Sequence, residues 1–315
     1  MYNKVEFRNR LIEWKRWWKH YSFPHPRQKK RVFILMVDGR YYHGGMVDRF
    51  KGIISIYAYC KANNYLFKIH YVYPFQLQDY LLPNQYDWAL GETESPSFNS
   101  WCARPVIMVG EAEGRRLYGL RGNRQYHCYY NRDNLRWTNE RYGQSYRWGD
   151  LFRELFRPAP ALSKLITENQ VRIGTDYVSV VFRFQRLLGD FDEYGFPELS
   201  DQGERMDLIN KCLQGILMLK KQHPHTRFLI TSDSETFLQQ AKQLDDCYII
   251  PGELAHMEYT SRQDFAVHAK SFVDFFMLAG SRKIYSMGTS CMYKTEFPLY
   301  AARLNEIPFE RILLD

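Results

Sequence analysis

The run Val32-Phe33-Ile34-Leu35-Met36-Val37 constrains this chain more than any other feature. It is apolar throughout and shows no alternation, so a strand here must be covered on both faces, as an inner strand of a parallel sheet is. A turn from Asp38 to Gly45 leads into Phe50 to Cys60, which has helical spacing, and Tyr65 to His70 reads as the next strand. Strand, glycine turn, helix and strand open a Rossmann-like unit. From Tyr177 the alternation resumes, with strands expected at Tyr177 to Phe182, Arg227 to Thr231, Tyr248 to Ile250 and Lys283 to Ser286. Helices are expected at about Glu204 to Lys221, Glu235 to Gln243, Gln263 to Leu278 and Lys294 to Arg303. The intervening stretch, Asn84 to Gly149, is rich in Tyr, Arg, Asn and Gly and offers one credible strand, Pro105 to Val109. Leu151 to Phe156 and Ala159 to Asn169 read as helices. For 315 residues this predicts an α/β protein of two Rossmann-like halves facing a cleft. The expected divisions are a basic extension over 1–31, a first domain over 32–165 and a second over 166–315.

Charge and composition narrow the function. Lys and Arg total 43 against 35 Asp and Glu, and the surplus of +8 favours anionic partners: nucleic acid, an anionic membrane face or a phosphate-bearing substrate. No RRM, KH or helix-turn-helix signature accompanies it, so nucleic acid is not expected. Aromatic residues make up 17% of the chain, a surplus that reads either as a Tyr-rich surface or as grooves where sugar rings or bases stack. Six cysteines without a Cys-x-x-Cys pair argue against zinc, thioredoxin chemistry and a secreted disulfide scaffold, and suit reduced, partly buried thiols in a cytoplasmic protein. Met1 to Arg10 is polar, so no signal peptide is expected, and no apolar run is long enough to span a bilayer. Leu11 to Tyr21 reads as an amphipathic helix rich in Trp, Lys and Arg, broken by Pro24 and Pro26 and followed by the basic run Arg27 to Arg31. Two placements suit it. Its tryptophans either pack on the protein's own core or anchor it peripherally to an anionic membrane, such as the inner face of the plasma membrane.

Residues able to carry chemistry cluster at the carboxyl ends of the expected strands. Gly44-Gly45-Met46-Val47-Asp48-Arg49-Phe50-Lys51-Gly52 joins the first strand to the first helix. Glycines there admit a ligand to the backbone, and the helix N-terminus offers N–H groups to an anion. The segment is neither the dinucleotide fingerprint nor a P-loop, and Asp48 also reads as a charge favoured by the helix dipole. The strand from Val178 delivers Arg183 and Arg186 to its end, where an always-charged guanidinium suits a diphosphate; a surface ion pair is the plainer reading. Thr231-Ser232-Asp233-Ser234 ends the next strand, with Ser232 or Asp233 either touching a nucleoside or capping the following helix. Ser286-Met287-Gly288-Thr289-Ser290 is a further small-residue turn, apt for phosphate. Asp190-Phe191-Asp192-Glu193 contains a metal-type Asp-x-Asp but reads as a solvated acidic loop, and the scattered histidines, His223 and His225 included, suggest no metal site.

The order Gly-Gly-x-x-Asp-Arg-x-x-Gly, strand-Arg, Ser-Asp and Gly-Thr-Ser resembles the fucosyltransferases of the nodulation, α-1,6 and protein-O-fucosyltransferase type. Lys270 to Leu278 ahead of Ile284-Tyr285-Ser286 is similar to their C-terminal motif. The resemblance spans roughly 32–71 and 177–303. It implies a GT-B fold, inverting and metal-independent transfer with no cofactor, and GDP-fucose as donor. Carried over, it puts Arg183 at the donor diphosphate, Ser232 and Asp233 beside the nucleoside and Gly288, Thr289 and Ser290 at the phosphates, with Gly44, Gly45 and Asp48 lining the cleft. Asp48 is then the first candidate for general base, ahead of Glu253 and Glu258. Arg49 and Arg186 are further candidates for the donor site. The family's His-x-Arg is Val181-Phe182-Arg183 here, a departure that admits another sugar nucleotide, or a protein that binds one without turnover. The acceptor, a glycan or lipid-linked glycan, is expected against loops within 84–150. The rival from another class is a non-catalytic glycan- or nucleic-acid-binding module.

Overall fold

A computed structural model of the chain describes residues 4–21, 31–91, 95–190, 195–254, 262 and 264–315. Pro24, Pro26 and Arg27 to Lys30 lie outside the described residues, as do Phe191 to Glu193, Glu258 and Gln263. The chain divides into two compact units, Met1–Arg157 and Pro158–Asp315, earlier than the expected division after residue 165.

The first unit runs α1 (Lys4–His20), β1 (Val32–Val37), α2 (Met46–Ala62), β2 (Leu66–Tyr71), β3 (Leu81–Pro83), β4 (Ala103–Ile107), β5 (Gln125–Tyr129), α3 (Leu135–Tyr142), α4 (Trp148–Leu155) and β6 (Phe156–Pro158). Its main sheet has four parallel strands in the order β2-β1-β5-β4, with β1 buried along its whole length. Strands β3 and β6 pair separately. Rather than forming an extension, α1 packs on β4: Asn9 donates to the Val109 carbonyl at 3.3 Å and Glu13 accepts the Ile107 N–H at 2.8 Å. Much of the aromatic surplus is spent inside. Phe33 stacks on Tyr126 at 5.0 Å between ring centres, Tyr59 meets it edge-on, and Tyr57, Tyr80, Tyr129 and Tyr130 are buried. Gly52 is needed for close packing within the protein, since a Cβ there would lie 1.9 Å from the Tyr130 carbonyl oxygen.

The second unit runs α5 (Pro160–Ile173), β7 (Tyr177–Val181), α6 (Gln202–Gln222), β8 (Arg227–Thr231), α7 (Glu235–Ala241), β9 (Cys247–Tyr248), α8 (Phe265–Ala279), β10 (Lys283–Gly288), α9 (Phe297–Asn305) and β11 (Phe309–Leu313). All five strands are parallel, in the order β11-β10-β7-β8-β9. Val178, Val180, Phe182 and Phe184 point to one side, into a core shared with Ile209, Cys212 and Ile216 of α6. On the other side Tyr177 donates its hydroxyl to the Met277 carbonyl of α8 at 2.6 Å. The six cysteines are free thiols, and none of the described helices is long and apolar enough to cross a membrane.

Candidate functional site

Strand order fixes where a ligand can sit in each unit. In the second, the chain builds from β7 outward through β8 to β9, then returns to the other side of β7 for β10 and β11. The switch point therefore lies between the carboxyl ends of β7 and β10, where open α/β sheets leave a crevice for ligands. Val181, Thr231 and Ser286 lie in register across β7, β8 and β10. The residues that follow them, Arg183, Asp233 and Gly288 among them, emerge together at that edge.

Asp233 organises this edge. Its carboxylate accepts the backbone N–H of Phe184 at 2.8 Å and of Gln185 at 2.7 Å, and binds Arg183 Nη1 at 3.0 Å. These bonds hold Gln185 in the left-handed region, at φ +54°. Burial raises the Asp233 pKa, while Arg183 and the two backbone N–H groups oppose that rise. Ser232 is buried beside it, donating to Asp233 at 3.5 Å and accepting the Ser234 N–H at 3.2 Å. The cap of α7 is Ser234, not Ser232 or Asp233, through the Phe237 N–H at 3.1 Å. Asp190 is no solvated acidic loop residue: its carboxylate accepts the Ser234 hydroxyl at 2.8 Å and the Thr236 N–H at 2.7 Å, completing that cap. Asp192 and Glu193 lie outside the described residues.

The other expected donor residues are less uniform. Arg186 turns to Glu198 at 2.9 Å, and Arg205 binds the same carboxylate. In the turn after β10, Thr289 is buried, with its N–H against Met292 Sδ at 3.4 Å and its hydroxyl 3.1 Å from Cys291 Sγ. Ser290 is exposed and its N–H points to Asp315, whose two carboxylate oxygens lie 3.0 and 3.1 Å away. An anion already occupies the backbone donor expected to meet a phosphate. Among the described residues no group of three or more His, Cys, Asp or Glu side chains is placed to hold a metal ion.

In the first unit Gly44, at φ +78°, must be glycine, because a Cβ would meet the Asp48 carboxylate at 2.7 Å. Gly45 caps α2, and Asp48 stands in its first turn, about a third exposed, with Lys51 Nζ at 2.8 Å. Arg49 is a structural tie rather than a ligand-facing group. It is 1% exposed and donates to the Gly44 carbonyl at 3.0 Å and to the Tyr71 hydroxyl and Tyr73 carbonyl at 2.8 Å each. Glu253 pairs with Arg262 on the surface of the second unit.

The switch point of this unit falls between β1 and β5 and holds a constellation the sequence reading passed over. Asp38, directly after β1, accepts the Tyr129 hydroxyl at 2.9 Å and the Arg40 N–H at 3.0 Å. His43 lies 3.9 Å from Asp38 and stacks on the Tyr129 ring; its Nε2 accepts the Gly39 N–H at 3.2 Å, which leaves the ring proton on Nδ1. Burial, with Arg49 and Arg16 nearby, pushes the His43 pKa down to about 3, so the ring is neutral. Burial likewise raises the Tyr129 pKa. The signal was positional: Asp38 is the first polar residue after a wholly apolar strand.

No protein-family model matches the sequence, and no curated protein resembles it in sequence. Solved structures do share its fold. An Arabidopsis thaliana FUT1 mutant in complex with GDP superposes with a TM-score of 0.56 at 13% identity, over 98% of this chain and 76% of that one. The α-1,6-fucosyltransferase NodZ co-crystallized with GDP gives 0.54 at 12%, over 87% and 92%. The fucosyltransferase NodZ from Bradyrhizobium gives 0.54 at 11%, over 91% and 96%. At such identities the likeness is one of architecture, and by that measure the chain has the GT-B fold of the fucosyltransferases NodZ and FUT1.

Proposed function

We propose that the protein is a glycosyltransferase that moves fucose, or a related sugar, from a GDP-linked donor to a glycan or lipid-linked glycan during polysaccharide biosynthesis. The observation that carries this reading is Arg183, held by buried Asp233 at the switch point of the second sheet. Breaking a glycosyl–phosphate bond loads negative charge on the leaving diphosphate, and a pre-positioned guanidinium stabilises that charge without a metal ion. Asp233 fixes the arginine before substrate arrives, so little reorganisation accompanies the reaction. The N–H of Ser290 adds a second donor once Asp315 moves aside. The acceptor hydroxyl must lose a proton as it attacks from the face opposite the departing diphosphate, which inverts the anomeric centre. Asp48, partly exposed beside the glycine turn, is the base in this reading.

Binding without turnover is the second reading, and Val181 favours it: a buried valine stands in β7 where the fucosyltransferase pattern has histidine. Thermal shifts with GDP, UDP, CMP, ADP and their sugar conjugates, with and without EDTA, test both. A ligand at a hundred times its Kd adds about 2.7 kcal/mol of stability. A GDP or GDP-fucose shift that survives EDTA and vanishes in Arg183→Ala supports the donor reading, and hydrolysis or transfer of GDP-fucose separates enzyme from binder. Absence of a shift with every nucleotide overturns both.

A further inference from the structure

Helix α1 carries an apolar stripe on its outer side. Its inner face meets the protein through Ile12, packed on the core, and through polar groups: Asn9 donates to Glu111 at 2.9 Å, Glu13 pairs with Arg116, and Arg16 lies over the Tyr41 ring at 4.9 Å. Four large apolar side chains face away, with Phe7, Leu11, Trp14 and Trp18 exposed by 60, 46, 60 and 62%. Spaced at i, i+4, i+7 and i+11, these four share one stripe of the helix. Trp14 and Trp17 both meet Trp18 edge-on, at 6.4 and 6.1 Å, so the indoles form an ordered ridge. The tryptophans therefore do not pack on the core. A contiguous outward ridge of this kind marks an interaction surface.

Both flanks of the ridge are basic. Lys4, Arg8, Lys15 and Lys19 are exposed along one side. Along the other lies a cavity of about 740 Å³ bordered by Arg10, Arg104, Arg115, Arg116 and Arg124. Three of these arginines are already paired, Arg10 with Glu6, Arg116 with Glu13 and Arg115 with Glu113, so the surplus charge of the cavity rests on Arg104 and Arg124. The Arg124 Nε is buried at the cavity wall without a partner. A ridge between like charges repels a second copy of itself and suits an anionic plane.

We infer that α1 and the arginine cavity beside it dock this unit on an anionic lipid bilayer. The ridge enters the boundary between headgroups and acyl chains, the lysines meet surface charge, and the cavity receives a lipid phosphate. This surface is independent of the donor reading, because the test uses no nucleotide.

The test is sedimentation of the full chain with vesicles of phosphatidylcholine alone, or with about a third phosphatidylglycerol, at low and high salt. Binding to the anionic vesicles, weakened by salt and accompanied by a blue shift of Trp emission, is expected. Trp14→Ser with Trp18→Ser lowers it about tenfold or more while thermal stability holds, since neither indole packs inside. Lys15→Glu with Lys19→Glu, and separately Arg104→Ala with Arg124→Ala, lower it without touching the ridge. Three outcomes overturn the inference: no sedimentation with either vesicle, equal sedimentation with both, or a concentration-dependent dimer that the Trp pair abolishes.

Discussion

Asp233→Asn separates the positioning of Arg183 from its charge. The carboxylate uses one oxygen for the Phe184 N–H and the other for the Gln185 N–H and Arg183 Nη1. An asparagine keeps one acceptor and turns its NH2 toward the other site, so at least one buried N–H loses its partner, at about 1–3 kcal/mol. Arg183 also loses its counter-charge in a pair whose side chains are 18 and 5% exposed. Breaking such a pair costs roughly 3–5 kcal/mol when complete burial holds, and toward the lower end here. We expect a loss of about 3–4 kcal/mol in the second unit, read from urea unfolding. Gln185 then relaxes from its left-handed conformation. GDP affinity falls with it although no positive charge has been removed. The double variant Arg183→Ala with Asp233→Asn should be more stable than the sum of the single losses predicts, with a coupling of about 2 kcal/mol. An Asp233→Asn protein within about 1 kcal/mol of the parent, binding GDP normally, refutes the claim that this carboxylate builds the site.

His43 and His127 each have pKa values pushed down to about 3, chiefly by burial. The unfolded chain binds their protons first, so stability is lost as pH falls from about 6.5 toward 3, by roughly 2 kcal/mol per histidine at about pH 5; urea midpoints that do not move between neutral pH and that point contradict it. Asp315→Ala vacates the Ser290 N–H and removes a negative charge, so GDP binding should tighten about fivefold by calorimetry. Unchanged or weaker binding moves the phosphates away from that turn. Gly52→Ala places a methyl 1.9 Å from the Tyr130 carbonyl oxygen, against backbone on both sides, and should cost several kcal/mol. A soluble variant melting with the parent would falsify the close approach of α2 to the segment after β5.

The inner strands are legible because both their faces are covered: β1 is wholly apolar, β7 is so but for Ser179 and β8 but for Arg227 and Thr231 at its ends, and that pattern alone puts Arg183 just past a strand end. Strand β5 was not legible. Gln125-Tyr126-His127-Cys128-Tyr129 looks polar yet is buried throughout, because its polar groups find partners far along the chain. His127 Nδ1 accepts the Tyr21 hydroxyl at 2.6 Å, and the Gln125 side-chain oxygen Oε1 accepts the Ser97 N–H at 2.7 Å. No local window contains those partners. The same holds for Arg49, a plausible anion ligand by position until Tyr71 and Tyr73 engage it. The aromatic surplus misled in the same direction, since rings that suit a groove also suit a core in which ring packs on ring, as Phe33, Tyr59 and Tyr126 do.

The outermost strands of the second sheet decide how the unit behaves toward its neighbours in a crowded solution. A parallel sheet of five strands ends in two rows of unsatisfied backbone groups, each a template for adding another chain. One end is closed by brevity, since β9 has two residues. The other is closed by charge, since β11 carries Glu310 and Arg311, tied to Lys283 and to the Thr295 carbonyl. Removing β11 would bare β10, whose Ile284, Tyr285, Ser286 and Met287 are all buried. Trimming at that edge is thus expected to turn a self-limiting sheet into a seed for aggregation.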